Sequence, residues 1–404
     1  KQRKKKIYYG KTVYEKKEIN EVLNVLKNDS LTLIDGKKVK ELEKKVSNLF
    51  GKKYGLMVNS GSSANLLALS SFNFKKGSEI ITPNLTFSTT VAPIYQLGLI
   101  PHFVGAVENK FVSDCSQIEK CINKKTVALM IPNLLGNIAD WKKIYKIANK
   151  YKLKIIEDSA DTIGYKVNNK NLGKYSDVTT NSFYASHIIN GAGTGGIVCF
   201  NDYKLYEKAK LLRGWGRSSA VFNESENANK RFNVKVSGID YDAKYIFSDL
   251  GYNFLPSEIS AAFALEQIKK LKNNISIRNR NFEYLKKFFN NYKKYFKLPE
   301  QYNGVKTPWL AFPLVIKKNK KFTRKKMQIF FERNQIQTRT IFTGNILKQP
   351  VMKNRIYMKH SKCDKIADDV MKNGILLGCH QGMNKKELNY ICSTFKRFIG
   401  NENN

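Results

Sequence analysis

Ser182-Phe183-Tyr184-Ala185-Ser186-His187-Ile188-Ile189-Asn190-Gly191-Ala192-Gly193-Thr194-Gly195-Gly196 follows a strand-like run at 177–183 and precedes a second at 197–200. Glycine fills four of the six positions 191–196. Glycine supplies backbone conformations closed to other residues, so the segment reads as a tight polar turn between two strands, with His187 at its tip.

Three other stretches point to the same place. Asn59-Ser60-Gly61-Ser62-Ser63-Ala64-Asn65 joins the apolar run 54–58 to a helical pattern through Leu66, Leu67 and Leu69. Small side chains and free N–H groups at a helix start form an anion cradle. Glu157-Asp158-Ser159-Ala160-Asp161 ends the β-rich run 153–156, and Thr82-Pro83-Asn84-Leu85-Thr86-Phe87-Ser88-Thr89-Thr90 ends the run 79–81. Ligands of open α/β sheets sit beyond the carboxyl ends of the strands, so the four loops are expected to converge on one site.

In this order and at these spacings, the segments resemble the sugar aminotransferase (DegT/DnrJ/EryC1/StrS-type) family of fold-type I pyridoxal-phosphate proteins. The resemblance continues through Arg213-Gly214-Trp215-Gly216-Arg217, Leu250-Gly251-Tyr252-Asn253 and Ser257-Glu258-Ile259-Ser260-Ala261-Ala262, and covers nearly the whole chain. It implies an α/β, aspartate-aminotransferase-like fold: a mixed, mostly parallel seven-stranded sheet in a large domain, plus a smaller C-terminal α+β domain. One position departs from the pattern. Where the aminotransferases carry the lysine that bonds the cofactor aldehyde, this chain has His187, and no lysine occurs between Lys174 and Lys204. That departure is similar to a branch of the family, the 3-dehydratases of nucleotide-linked 4-keto-6-deoxyhexoses. Gly238-Ile239-Asp240-Tyr241-Asp242, Phe342-Thr343-Gly344-Asn345-Ile346-Leu347-Lys348-Gln349-Pro350 and Leu377-Gly378-Cys379-His380-Gln381-Gly382-Met383 resemble the same branch.

The resemblance implies pyridoxal 5'-phosphate or pyridoxamine 5'-phosphate as cofactor, with Gly61, Ser62, Ser63, Phe87, Asp158, Asp161, Ser182 and Asn253 as its binding residues. Asn253 would reach the phosphate from the neighbouring subunit of a homodimer with shared active sites. Each residue also has an ordinary reading: Asp158 as a turn or N-cap carboxylate, Phe87 as core, and the serines as caps and turns. Asp161 stands where many relatives place Gln or His near the ring hydroxyl. Imidazole cannot bond the aldehyde, so the aminated cofactor becomes the resting form, and His187 is suited to moving a proton near neutral pH.

The implied reaction is C3 dehydration of a nucleotide-linked 4-keto-6-deoxyhexose, a GDP- or CDP-sugar, with L-glutamate as amino donor, in dideoxysugar and surface-polysaccharide biosynthesis. Arg217 is a candidate for the glutamate carboxylate or the diphosphate, because guanidinium binds both bidentately; it reads equally as a surface arginine. The stretch 217–231 contains no Cys, so no iron–sulfur cluster or other metal is expected. Two alternatives remain: a nucleotide-sugar aminotransferase using another lysine, and a non-catalytic family member that lost its lysine.

The chain has 404 residues and a formal net charge of +38, with the lysines spread rather than gathered into one block. No nucleic-acid-binding motif accompanies the charge, so no nucleic-acid partner is expected; a positive field also favours an anionic nucleotide-sugar. The cysteines at 115, 121, 199, 363, 379 and 392 are unclustered and read as thiols of a reducing compartment. The run 1–6 is basic, no apolar signal core follows it, no membrane-length apolar stretch occurs, and the start at Lys1 reads as trimmed. A cytoplasmic protein without membrane insertion is expected.

Alternating strand-like runs (54–58, 79–82, 100–104, 127–131, 153–157) and helical patterns (64–72, 88–97, 139–151) predict a parallel sheet covered on both faces. Residues 218–237 read as a long loop or lid, and 256–271 as a helix crossing into a smaller unit with strands near 310–316 and 374–377. The expected division is an N-terminal segment 1–30, a large cofactor-binding domain 31–250 and a small C-terminal domain 251–404.

Overall fold

The computed structural model describes residues 6–28, 32–167, 170–221 and 227–401. Most of the basic run 1–6, positions 29–30 at the end of the expected N-terminal segment and positions 222–226 of the 218–237 stretch lie outside the described residues.

The large sheet is built from β1 (Tyr54–Val58), β2 (Glu79–Pro83), β3 (Ile100–Val104), β4 (Thr126–Pro132), β5 (Lys154–Asp158), β6 (Val178–Ser182) and β7 (Gly196–Phe200). These runs are buried along nearly their whole length because helices cover both faces, which is why most of them read as apolar stretches; β6, Val-Thr-Thr-Asn-Ser, is the polar exception. Their order is β1-β7-β6-β5-β4-β2-β3, and a two-residue strand, Met358–Lys359, extends the edge beside β3. The seven strands implied by the resemblance are therefore present, with an eighth supplied from the C-terminal part. Only β7 runs against its neighbours, pairing antiparallel with both β1 and β6. All the other strands point one way, so the loops after β1, β2, β4, β5 and β6 emerge at one edge.

The helices Lys16–Asn28 (α1), Lys37–Leu49 (α2), Gly61–Ser70 (α3) and Ser88–Gln96 (α4) lie in the N-terminal part. Buried Glu258 caps the start of α2, accepting from the N–H groups of Gly36, Val39 and Lys38 at 2.8, 2.9 and 3.0 Å. The Ser257-Glu258 motif thus serves the fold, because its carboxylate satisfies the orphan donors of a first turn.

A second core is formed by the antiparallel strands Phe296–Lys297, Phe312–Ile316 and Gly374–Leu377, under the helices Leu271–Asn290, Arg324–Arg333, Asp364–Asn373 and Lys385–Asn401. Phe282, Phe289, Phe296, Phe312 and Phe395 interlock there through stacked and edge contacts. The helix Glu258–Lys269 packs on α1 and α2, and its Ala261, Ala264 and Leu265 belong to the large-sheet core. We therefore propose that the smaller unit begins near residue 271. The stretch 218–237 carries the short helix Ala228–Phe232, and Val234–Val236 pairs with Ile239–Tyr241 as a hairpin.

Candidate active site

The loops at the carboxyl edge enclose a cavity of about 380 Å³, lined by Gly61, Ser62, Phe87, Asp158, Asp161, Ser182 and His187 among the predicted residues. At one end is the start of α3. Ser60 is its N-cap, and its hydroxyl accepts from the Ser63 N–H at 3.0 Å. The Gly61 and Ser62 N–H groups are left as the orphan donors of the first turn. A Cβ at Gly61 would stand 2.5 Å from the Ser182 Cβ, so only glycine lets this turn close against the end of β6. The Gly-rich loop is tied down beside it: Gly195 N–H and the Thr194 hydroxyl both donate to the Asn59 carbonyl, at 3.0 and 2.6 Å.

Asp158, at the end of β5, projects into the cavity with three donors on its carboxylate. Asn65 Nδ2 at 2.9 Å and the Thr90 hydroxyl at 2.7 Å bind Oδ2, and the Ala160 N–H at 3.1 Å binds Oδ1. The helices after β1 and β2 thereby aim this one side chain.

His187 and Asp161 meet across the cavity wall, with Nε2 to Oδ1 at 3.7 Å. The His187 Nδ1–H donates to the Ser182 carbonyl at 3.1 Å, which leaves Nε2 as the lone-pair nitrogen. Burial lowers the imidazole to about 4, so it is neutral at physiological pH. Burial, with the Asp158 charge added, raises the Asp161 carboxyl to about 7, while its Oδ2 accepts from the Leu135 N–H at 2.8 Å. Desolvation pushes both groups toward their neutral forms, and at 3.7 Å their nearest atoms stand just beyond hydrogen-bond reach.

Residues from distant parts of the chain complete the wall and brace it from behind. Tyr9 lines the cavity from the N-terminal segment, which is held by the Ile7–Ile336 bridge and by the Thr12 hydroxyl donating to the Ala185 carbonyl at 3.0 Å. The fully buried Arg278 donates to the carbonyls of Ser186 (3.2 Å), Leu310 (3.0 Å) and Trp309 (3.3 Å) and to Gln381 Oε1 (2.7 Å), fixing the His187 loop to the smaller unit. Phe342 meets Phe87 edge to face at 5.7 Å. Asn65 and Thr90 lie inside the loop segments at the strand ends, where any polar residue is a candidate. Tyr9 and Arg278 lie far off in sequence and carry no local signal, whereas Phe342 opens one of the stretches that resemble the dehydratase branch.

Three predicted residues are not brought to this cavity. The Ser63 hydroxyl turns to Asn59 Oδ1 at 2.6 Å and to the Ser60 hydroxyl at 2.9 Å. Asn253 is exposed beside Asn59. The Arg217 guanidinium lies over the rings of Trp215, Tyr245 and Phe247, at 4.7, 5.3 and 5.7 Å. No lysine lines the cavity among the described residues.

The site fits a pyridoxal-phosphate-type cofactor. A helix start lining the cavity beside Ser182 suits a phosphate, and a buried, three-donor carboxylate suits a protonated pyridine nitrogen.

Comparison with known proteins identifies relatives along nearly the whole chain. The model of the DegT/DnrJ/EryC1/StrS aminotransferase family matches residues 13–396. The chain is 33% identical to the lipopolysaccharide biosynthesis protein RfbH of Salmonella typhimurium over 89% of this chain and 84% of that one. It is also 33% identical to the GDP-4-keto-6-deoxy-D-mannose 3-dehydratase of Escherichia coli O55:H7, over 94% and 96%. Among solved structures, an E. coli GDP-4-keto-6-deoxy-D-mannose-3-dehydratase with bound hydrated PLP superposes with a TM-score of 0.83 at 31% identity, covering 96% of this chain and 98% of that one.

Proposed function

This chain belongs to the DegT/DnrJ/EryC1/StrS aminotransferase family, and on that premise we propose that it is a pyridoxal-phosphate-dependent 3-dehydratase of a GDP-linked 4-keto-6-deoxyhexose, with L-glutamate as amino donor. One observation carries the reading: an imidazole whose Nδ1–H is engaged and whose Nε2 is left as acceptor, in the wall of a cavity with no lysine among its described lining residues. A site without a lysine has no amine to bond the cofactor aldehyde, which disfavours the aminotransferase alternative.

When bound, the cofactor supplies an electron sink that lets a proton leave one carbon and a hydroxyl leave the neighbouring sugar carbon. The N–H groups of Gly61 and Ser62, with the Ser182 hydroxyl, would hold the phosphate. Asp158 would keep the ring nitrogen protonated, and Phe87 would pack against the ring. His187 Nε2 accepts the proton beside the ring and returns it to the departing C3 hydroxyl, which leaves as water. Asp161, at 3.7 Å, balances the imidazolium while it exists. Tyr9 and Phe342 exclude bulk water from the cavity, which strengthens each of these contacts.

A second subunit completes the reading. Asn253 and Arg217 stand outside their own chain's cavity, and the surface around them exposes Trp215, Tyr245, Phe247 and Leu250, the last 93% accessible. An apolar patch of this kind marks a protein interface, and in a two-fold dimer it would carry both residues toward the partner's site. No described helix is long and apolar enough to cross a membrane, and six unpaired, buried cysteines accord with a cytoplasmic enzyme.

The test is incubation of cofactor-loaded protein with L-glutamate and GDP-4-keto-6-deoxymannose, followed by product mass. Loss of the C3 oxygen without nitrogen gain supports the dehydratase. Replacement of the carbonyl by an amine refutes it in favour of the aminotransferase, and an unchanged sugar with no spectral response of added cofactor favours the non-catalytic member.

A further inference from the structure

Residues 7–12 belong to no helix or multi-residue strand, yet they are fixed almost residue by residue. The Ile7 N–H donates to the Gln335 carbonyl and the Gln337 N–H to the Ile7 carbonyl, both at 2.8 Å. His380 Nε2 donates to the Tyr8 carbonyl at 3.1 Å, and the Tyr9 N–H to Gln337 Oε1 at 3.2 Å. A Cβ at Gly10 would stand 2.7 Å from the Ser186 Cβ, so glycine there lets the segment close on the His187 loop. Ordering a chain segment costs conformational entropy, and what this segment delivers to the catalytic cavity is the side chain of Tyr9.

Ser186 and His187 line the same space as Tyr9. The Arg339 guanidinium lies over the Tyr9 ring at 5.1 Å and holds it in place. Burial raises the phenol above its usual value of 10, outweighing the opposing effects of the Ser186 bond and the Arg339 charge, so the hydroxyl keeps its proton at physiological pH. The Ser186 bond acts in the direction that favours the phenolate, which makes Ser186 the donor and leaves the phenolic O–H free to donate in turn. Other polar side chains of the wall are committed: Asn65 and Thr90 to Asp158, and Asn133 to Glu157 and Ser159. Tyr184, the second phenol beside His187, is 59% exposed. Tyr9 thus brings a desolvated O–H to the loop that carries the imidazole.

We propose that Tyr9 is a catalytic residue for the departing group: its phenol donates a hydrogen bond to the C3 oxygen of the hexose, holding it beside His187 Nε2 and stabilising it as it leaves. The assignment rests on the dehydratase reading. The electron pair freed when His187 takes up its proton expels the C3 oxygen, the imidazolium returns that proton to the oxygen, and water departs. Tyr9 keeps its own proton throughout. A donor aimed at charge that develops in a water-poor cavity acts chiefly in the transition state. The 3-deoxy product has no oxygen at C3 to accept the bond, so the same contact favours its release.

The contact is read without turnover when the protein is loaded with the aldehyde cofactor and L-glutamate is omitted, because no amine is then present to start the reaction. Calorimetry compares GDP-4-keto-6-deoxymannose with its 3-deoxy counterpart on the parent, Tyr9→Phe and Ser186→Ala. Tyr9→Phe keeps the ring under Arg339, so the thermal midpoint should match the parent's. The expected result is a preference of about fivefold or more for the 3-hydroxy sugar in the parent and equal binding of the two sugars in Y9F. With L-glutamate added, kcat for dehydration in Y9F should fall by about 10–10²-fold, whereas the sugar-free spectral conversion of the cofactor by L-glutamate should change by less than about twofold. S186A should keep part of the preference, because the phenol remains. A parental preference or a parental kcat in Y9F overturns the assignment, as does a Y9F that weakens both sugars alike. Complete loss of the preference in S186A with Y9F unaffected overturns it in favour of Ser186. A parent without any preference also overturns it, and product mass with the parent tells whether the dehydratase reading falls at the same time.

Discussion

At the residue scale the chemistry depends on one substitution and its neighbour. His187→Lys should restore an amine at the tip of the turn. We expect absorbance from a covalent bond to the aldehyde cofactor that survives dialysis and is abolished by borohydride. Dehydration should fall by about 10²–10⁴-fold, the usual worth of a positioned acid–base group. His187→Asn should lose dehydration equally while gaining no such absorbance; dehydration at the parental rate would show that the imidazole is a bystander. Asp161 gives a pH test. Its raised carboxyl, about 7 against 3.8, contributes stability that is lost as pH rises through that window. The lowered imidazole of His187, about 4 against 6.5, contributes stability that is lost as pH falls through its own. Between about pH 4 and 6.5 the two slopes oppose each other in the parent. Asp161→Asn removes only the first. The cofactor-free variant should therefore lose about 1–2 kcal/mol more than the parent on acidification across that range, after allowance for solvent in the cavity. Parallel denaturation midpoints for the two proteins at about pH 4.5 and 6.5 would contradict the raised Asp161 carboxyl.

At the scale of elements, the site is a set of strand ends and one helix start held in register by buried polar anchors. Arg278 connects the helix Leu271–Asn290 to the His187 loop and to the carbonyls at 309 and 310. Arg278→Met keeps the volume and removes every donor, leaving buried carbonyls unpaired. A loss of about 3 kcal/mol or more is expected from urea unfolding, and a change below about 1 kcal/mol would show that the loop is held by packing alone. The approach of α3 to β6 has a similar dependence on one residue. Gly61→Ala forces the first turn away from Ser182, so cofactor affinity should fall at least tenfold with little change in secondary structure by circular dichroism.

At the scale of the molecule, two cores share one polypeptide and the cavity lies where they meet, which is why Tyr9, Leu310 and Phe342 face residues more than a hundred positions away in sequence. The exposed apolar surface about Leu250 belongs to this scale too. Leu250→Asp should shift the sedimentation coefficient from dimer toward monomer and weaken cofactor retention in the same samples. A variant that stays dimeric, or a monomer that holds cofactor as tightly as the parent, would rule out the shared site. The absence of Cys from 217–231 gives a further expectation: turnover without iron, sulfide or a reductase. Stoichiometric iron in protein purified without air would contradict it.

The order of strands and helices was legible in the residues alone, because an apolar run of five between turn signals has few other uses. So were the loops that carry Gly61, Asp158 and His187, because strand ends in such a sheet share one edge. The missing lysine also showed which chemistry was closed. What each side chain faces had to wait for the folded chain. The position of Ser63 in the cradle motif says nothing of its hydroxyl, which the helix geometry turns back to Asn59 and Ser60. Glu258 reads as part of a family motif, yet its carboxylate caps a helix more than two hundred residues away. Tyr9 and Arg278 carry no local pattern, because an aromatic or cationic residue in a polar stretch looks the same whether it faces solvent or the interior. Their roles follow from burial and distance, which arise only when the second core folds against the first.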